Sequence, residues 1–87
     1  MTEPDQPIAW LALQEGTAIV ARDGAEVGKV ARVIGDAQKD IFSGISFKPG
    51  LFDAERFAPA ECVARITPAR VELDLSADEA AGLEEYR

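Results

Sequence analysis

The sequence predicts a mainly β fold, a small antiparallel barrel of about six strands followed by a short C-terminal α-helix. Short, partly β-branched segments recur about every 8–12 residues and are separated by turns rich in glycine, proline and aspartate. At 87 residues, with no internal repeat, the chain is expected to form one domain with a modest core. A helix-capping pattern after the last strand-like segment places the helix at the C-terminal end.

The first segment precedes the regular strands. Residues 1–7 contain two prolines and mostly polar side chains, which predicts a disordered lead-in. The folded domain is expected over residues 8–75. Its opening stretch, IAWLALQEG, is compatible with either a strand or a short helical turn that holds Trp10 against the core.

The first hairpin is predicted at Asp23-Gly24, because this dipeptide favours a tight turn in which both central residues can adopt positive φ. The returning strand, residues 27–35, has valines at a spacing that fits neither strict alternation nor a helix. Gly28 lies at its start, and a glycine inside a strand commonly marks a bulge or a close backbone approach. We therefore expect a bulge at Gly28.

The next strand is predicted over IFSGISFK, residues 41–48, with Ile41, Ile45 and Phe47 on the inner face. Gly44 interrupts this run and is expected to bend the strand around the barrel. Pro59 is expected to end a short fourth strand and to begin one helical turn.

The remaining elements are VARI (residues 63–66), RVELDL (residues 70–75) and the C-terminal segment, residues 76–87. RVELDL alternates cleanly, so Val71, Leu73 and Leu75 should point inward. Ser76 followed by Glu79 matches a capping box, which predicts a helix over about residues 77–85.

Three stretches, DGAEVGKVARVIGD, DIFSGISF and RFAPAECVARITPARVELDL, resemble the PRC-barrel family over residues 16–75. The resemblance is carried by the Asp23-Gly24 turn, by Val27-Gly28-x-Val30, by Asp36 and by Pro59-Ala60-Glu61-x-Val63. The family shares its fold between the cytoplasmic part of the photosynthetic reaction-centre H subunit and the C-terminal domain of a ribosome maturation factor. The resemblance implies a PRC-type barrel in which Gly28 lets the strand coil.

Within that family, the chain resembles the free-standing bacterial members. The sequence shows neither the preceding β-domain of the maturation factor nor the transmembrane helix of the H subunit. For such members the resemblance implies no defined reaction, because a fold alone does not specify an activity.

Charge and composition exclude several classes of partner. Sixteen acidic against nine basic residues give a formal net charge of −7, which disfavours direct nucleic-acid binding and attraction to an anionic membrane. No apolar run approaches the roughly 20 residues needed to span a bilayer. A single cysteine cannot form an intrachain disulfide, and a cytoplasmic location is expected.

Few side chains are suited to catalysis. The chain has no histidine, so the commonest general base and metal ligand is missing. Cys62 is interpreted as a small apolar residue rather than a nucleophile. The pairs Glu55 with Glu61 and Asp36 with Asp40 match no known cation-binding loop and are interpreted as turn or capping residues. We therefore predict no enzymatic activity, cofactor or metal site.

The leading hypothesis is a protein-interaction module that binds another protein, or a second copy of itself in a homodimer, through an exposed sheet edge or an apolar loop. Leu51 and Phe52 in the PGLFDAE loop, with Phe57 beyond it, are the predicted partner-binding residues. Two alternatives remain open: a barrel that binds a small ligand or cofactor, and a ribosome-assembly accessory by analogy of fold.

Overall fold

The structure, a computed structural model, describes residues 9–50 and 53–86. This part of the chain forms six strands and one short α-helix, which confirms the mainly β prediction. The predicted lead-in over residues 1–7 lies outside the described residues. The strands are β1 (Ala18–Val20), β2 (Glu26–Asp36), β3 (Ile41–Lys48), β4 (Arg56–Pro59), β5 (Val63–Ile66) and β6 (Arg70–Leu73), and the helix is α1 (Ala77–Ala81).

The six strands form one sheet in the order β4-β3-β2-β1-β6-β5. Four of the five pairings are antiparallel, but β1 and β6 are parallel, so the prediction of a purely antiparallel sheet is wrong at this pair. Alternation along a strand predicts its buried face and not its direction, which is why the sequence missed this pairing. Among the described residues no ladder joins β4 to β5, so the sheet is not closed into a barrel.

One apolar core is shared by all six strands. Ala58 on β4 and Ile66 on β5 belong to the same buried cluster although their strands are at opposite ends of the sheet. The sheet therefore curls around a single core. The buried apolar members are Leu13, Ile19, Val30, Ile45, Phe47, Ala58, Ile66, Val71, Leu73 and Ala80.

The first element is a 3₁₀-helix, Trp10–Ala12, so the helical alternative for this segment is the observed one. Trp10 packs against the core, as that alternative expected. A second 3₁₀-helix, Ala60–Cys62, follows Pro59 at the end of β4. The pyrrolidine ring fixes φ, which is −59° at Pro59, and favours the start of such a turn.

The inner face of β3 differs from the prediction. Ile41 is 51% exposed, whereas Phe42 packs against the core. Ile34 pairs with Gly44 while Gly35 pairs with Phe42, so Ser43 is an extra residue in the ladder. This bulge reverses the alternation and turns Ile41 outward.

The β1–β2 hairpin contains a longer loop than a two-residue turn. The amide of Gly24 donates to Ala21 O at 2.9 Å and the amide of Ala21 donates to Ala25 O at 2.8 Å. Gly24 has φ +92°, but Asp23 does not have positive φ, so that part of the turn prediction is wrong. Asp23 Oδ1 instead accepts from the amide of Ala25 at 3.3 Å. A three-residue loop with glycine in the left-handed position is a common hairpin type.

Gly28 and Gly44 lie where another backbone comes close. A Cβ at Gly28 would be 2.5 Å from Lys48 O, and a Cβ at Gly44 would collide with Ala58 O. The register also shifts opposite Gly28, where Ile19 pairs with Gly28 but the next residue of β1 pairs with Glu26. Both glycines thus allow adjacent strands to bend tightly against each other.

The helix is shorter than predicted. Ser76 Oγ accepts from the amide of Glu79 at 3.1 Å, and Glu79 Oε1 accepts from the amide of Ser76 at 3.0 Å, which forms the capping box. The helix ends at Gly82 and does not continue to residue 85, because glycine favours helix termination. Residues 83–86 do not continue the helix and lie beside β4.

We expect Gly44→Ala to lower the free energy of unfolding by about 3 kcal/mol, because the added methyl collides with backbone at φ +151°. Gly24→Ala is the control, since it has φ +92° and open space around its Cβ. There we expect only the backbone term, about 1 kcal/mol. Urea denaturation of both variants measures the difference, and equal losses would show that the close approach to Ala58 has no energetic consequence.

Candidate functional site

The outer edge of β4 is covered by the chain's own C-terminal segment, residues 83–86, here called the C-terminal clasp. The amide of Phe57 donates to Glu84 O at 2.9 Å, and the amide of Tyr86 donates to Glu55 O at 2.8 Å. Arg56 and Glu85 form an antiparallel bridge between these bonds. The clasp therefore acts as a short additional strand, and β4 does not present a free edge.

Side chains strengthen the clasp. Arg56 Nη1 donates to Leu83 O at 2.6 Å. The Tyr86 ring stacks on Phe57 with centroids 6.0 Å apart, and the guanidinium of Arg32 lies 6.0 Å from the same ring. Phe57, a predicted partner-binding residue, thus already has an aromatic partner within the chain.

Glu55 connects the clasp to the sheet. Its Oε2 accepts from the buried hydroxyl of Ser46 at 2.9 Å and lies 3.3 Å from Arg32 Nε. Ser46 is fully buried on β3. This hydrogen bond therefore satisfies a buried hydroxyl that, without a partner, would lower the stability of the fold. Glu55 therefore has a structural role, as does Asp36, whose Oδ1 accepts from the amide of Gln38 at 3.0 Å.

The opposite end of the sheet is arranged differently. Within the described residues no strand or bridge pairs with the outer edge of β5. Beside this edge lies a shallow, mostly apolar groove of about 690 Å³, here called the β5 groove. Its lining residues are Trp10, Phe42, Ala60, Val63, Ala64, Arg65 and Ile66.

Two stacked rings form one side of the β5 groove. Trp10 and Phe42 have centroids 5.5 Å apart and an interplanar angle of 25°. Trp10 Nε1 donates to Asp40 Oδ1 at 3.3 Å, so the indole has a defined orientation. Leu11 and Ile41, each next in the chain to one of these rings, are 57% and 51% exposed. Exposed apolar side chains therefore neighbour, in the chain, both rings that line the β5 groove.

The sequence predicted binding through an exposed sheet edge, but it did not predict the β5 groove. Leu51 and Phe52 lie outside the described residues, so their predicted role stays a prediction. Trp10 and Phe42 are half-buried against the core, and both also line the groove. Their contact joins residues that are distant in sequence, and no local pattern indicates it.

Cys62 is partly buried. Burial, and then the nearby carboxylates of Glu61, Asp74 and Glu79, raise the pKa of the thiol above its usual value. The thiolate is the reactive form, so a raised pKa makes this cysteine a poor nucleophile at neutral pH. This environment agrees with the interpretation of Cys62 as a packing residue.

We expect Tyr86→Ala to lower the free energy of local opening at the β4 edge by about 1–2 kcal/mol, because the ring contact with Phe57 is lost. Amide hydrogen exchange at Phe57, whose N–H is bonded to Glu84 O, measures it. Tyr86→Phe retains the ring and should change the free energy of local opening by less than about 0.5 kcal/mol. Unchanged exchange at Phe57 in Tyr86→Ala would mean that the ring does not hold the clasp.

We expect Cys62 to react with iodoacetamide more slowly at pH 8 than the cysteine of an unstructured peptide. The pH midpoint of the rate should lie above that of the peptide, because burial and negative charge disfavour the thiolate. Glu61→Gln should move the midpoint down, since one carboxylate is removed. A midpoint at or below that of the peptide would contradict this view of the site.

None of the described helices has the length and apolar character needed to cross a membrane. Over residues 9–50 and 53–86, no group of three or more potential ligand side chains is positioned to hold a metal ion. No protein-family model matches the chain, and no curated protein matches it significantly, so the PRC-barrel resemblance stays a prediction.

Proposed function

We propose that this chain is a non-catalytic interaction module that binds an extended segment of another protein along β5. The observation that supports the proposal is the position of the β5 groove beside the edge of β5, a strand that forms a ladder only with β6 among the described strands. The groove is lined mainly by apolar side chains, among them Trp10 and Phe42. The other end of the sheet is covered by the C-terminal clasp, so the two edges are not equivalent.

The physical basis is addition of a strand to an exposed sheet edge. An edge strand offers backbone N–H and C=O groups, which give affinity to any extended segment. Alternate side chains of that segment would enter the β5 groove and contact Val63, Phe42 and Trp10, which gives selectivity for apolar residues. β5 has four residues, so the added segment is short.

Packing favours this proposal over a small-ligand barrel. Phe47, Ile19 and Ile45 are less than 2% exposed, so the interior is occupied by side chains. A small-molecule site normally encloses most of its ligand, whereas the β5 groove is shallow and open to solvent. The absence of histidine from the sequence likewise supports a binding function rather than catalysis.

A second copy of the chain is one partner that meets these requirements. Two β5 edges can pair antiparallel about a twofold axis, which would bring two β5 grooves together in a homodimer. The PRC-barrel resemblance and the cytoplasmic location stay predictions.

We expect Ala64→Lys to abolish binding at this surface, because a lysine on an edge strand blocks further strand pairing. A random peptide library is selected on the wild-type protein, and the Ala64→Lys variant is used for counter-selection. The selected peptides should carry large apolar residues at alternate positions. Amide chemical shifts should then change at β5, Trp10 and Phe42. Ala37→Lys is the matched control, since Ala37 is also exposed but lies in the β2–β3 turn.

Sedimentation equilibrium of the same proteins distinguishes the two kinds of partner. A dimer that Ala64→Lys dissociates and Ala37→Lys does not would identify a second copy as the occupant. A monomer that binds selected peptides at β5 would identify a foreign segment. Peptides that bind both variants equally, with shifts away from β5, would contradict the proposal.

A further inference from the structure

A second surface lies on the outer face of β2 and β3, away from the β5 groove. Lys29 on β2 is directly opposite Lys48 on β3, and the next inward pair is Val30 with Phe47. Because Val30 and Phe47 are buried, both lysines point to the solvent side, where they are exposed. Arg32, opposite Ser46, continues the same face. Lys29, Arg32 and Lys48 are here called the lysine face.

Within the part of the chain that the structure describes, the two lysines have no charge partner. Like charges directly opposite each other in an antiparallel pair are destabilising. Among residues 9–50 and 53–86, neither ammonium group has an ion pair or a side-chain hydrogen bond, whereas Arg32 is paired with Glu55. In a chain with net charge −7, Lys29 and Lys48 are thus two cations on adjacent strands that no ion pair among the described residues neutralises.

The surroundings provide a surface that can accommodate an extended chain. A cleft of about 410 Å³ runs beside the lysine pair, lined by Glu26, Gly28, Lys29, Val30, Ala31, Lys48, Pro49 and Gly50. Lys48 also borders the next cleft, which contains Arg32, Asp53 and Tyr86. Glu26 lines the first cleft, and Asp53 and Glu55 line the second. Among the described residues, neither Glu26 nor Asp53 forms an ion pair with a lysine.

We propose that the lysine face binds an acidic extended segment of a protein partner, with carboxylates placed at Lys29 and Lys48. Residues directly opposite each other in an antiparallel pair have Cβ atoms about 4.5–5.5 Å apart, so Lys29 and Lys48 can both reach carboxylates of one extended segment. Charges beyond about 8 Å are screened at physiological ionic strength, so a bound carboxylate interacts mainly with Lys29 and Lys48 and with the acidic residues that line the same clefts, Glu26 and Asp53. A nucleic acid would extend beyond the patch and meet the net charge of −7.

The test uses an octapeptide of alternating glutamate and serine, and the same peptide with glutamine in place of glutamate, titrated against the whole chain by amide chemical shifts. The glutamate peptide should shift Lys29, Arg32 and Lys48 and should bind more tightly than the glutamine peptide. Lys48→Glu should weaken binding about fivefold. Lys39→Glu, the same charge change at an exposed turn residue, should stay within roughly twofold of wild type.

The stability of Lys48→Glu and one further variant, Lys48→Arg, separate binding from folding. Lys48→Glu replaces a repulsive cross-strand pair with an attractive one, so its thermal unfolding midpoint should be no lower than that of wild type. Lys48→Arg keeps the charge and should keep the affinity. The proposal is overturned by equal weakening in Lys48→Glu and Lys39→Glu, by no saturable shift at Lys29 and Lys48, or by a single-stranded 12-nucleotide DNA that binds these lysines more tightly than the glutamate peptide. These results do not depend on the β5 groove, so this proposal and the proposed function can fail separately.

Discussion

The fold depends on β1, a strand of three residues that joins the two halves of the sheet. It pairs antiparallel with β2 on one side and parallel with β6 on the other, and among the described strands it alone connects the β2–β4 half with the β5–β6 half. Ile19 at its centre lies opposite both Gly28 and Val71 and is fully buried. Without this strand, a three-stranded sheet and a two-stranded hairpin would each lack a complete core, and isolated hairpins are marginally stable.

The turn after β1 reinforces this junction. The amide of Arg22 donates to Leu75 O at 2.6 Å, and Asp23 Oδ2 accepts from the amide of Ala77 at 3.3 Å. The guanidinium of Arg22 also bonds Glu79 at 3.0 Å. The Ser76 N–H hydrogen bond, followed by the Ser76 hydroxyl and then Arg22, holds the pKa of Glu79 below its usual value. Each exposed ion pair contributes little alone, but together with the backbone bonds they attach the hairpin to the start of α1.

Local patterns predicted the features that local physics determines. Strict alternation identified Val71 and Leu73 as buried, and the spacing of Ser76 from its partner identified the capping box. The direction of β6 relative to β1, and the contact of Trp10 with Phe42, depend on residues far apart in the sequence and left no local signal. For the same reason the sequence predicted exposed edges but not which edge the C-terminal clasp covers, and so the β5 groove emerged only from the folded chain.

The two proposed surfaces lie at opposite ends of β3, which has consequences for how a partner could use them. Phe42 borders the β5 groove and Lys48 belongs to the lysine face, and the six residue steps from one to the other separate the surfaces by about 20 Å along the strand. The C-terminal clasp occupies the neighbouring edge of β4, which prevents a partner from pairing continuously along that side. A partner that uses both surfaces therefore needs an apolar segment and an acidic segment joined by a linker that spans about 20 Å. Linking two weak contacts in this way raises the effective concentration of the second, so the pair can bind tightly even where each segment alone binds weakly.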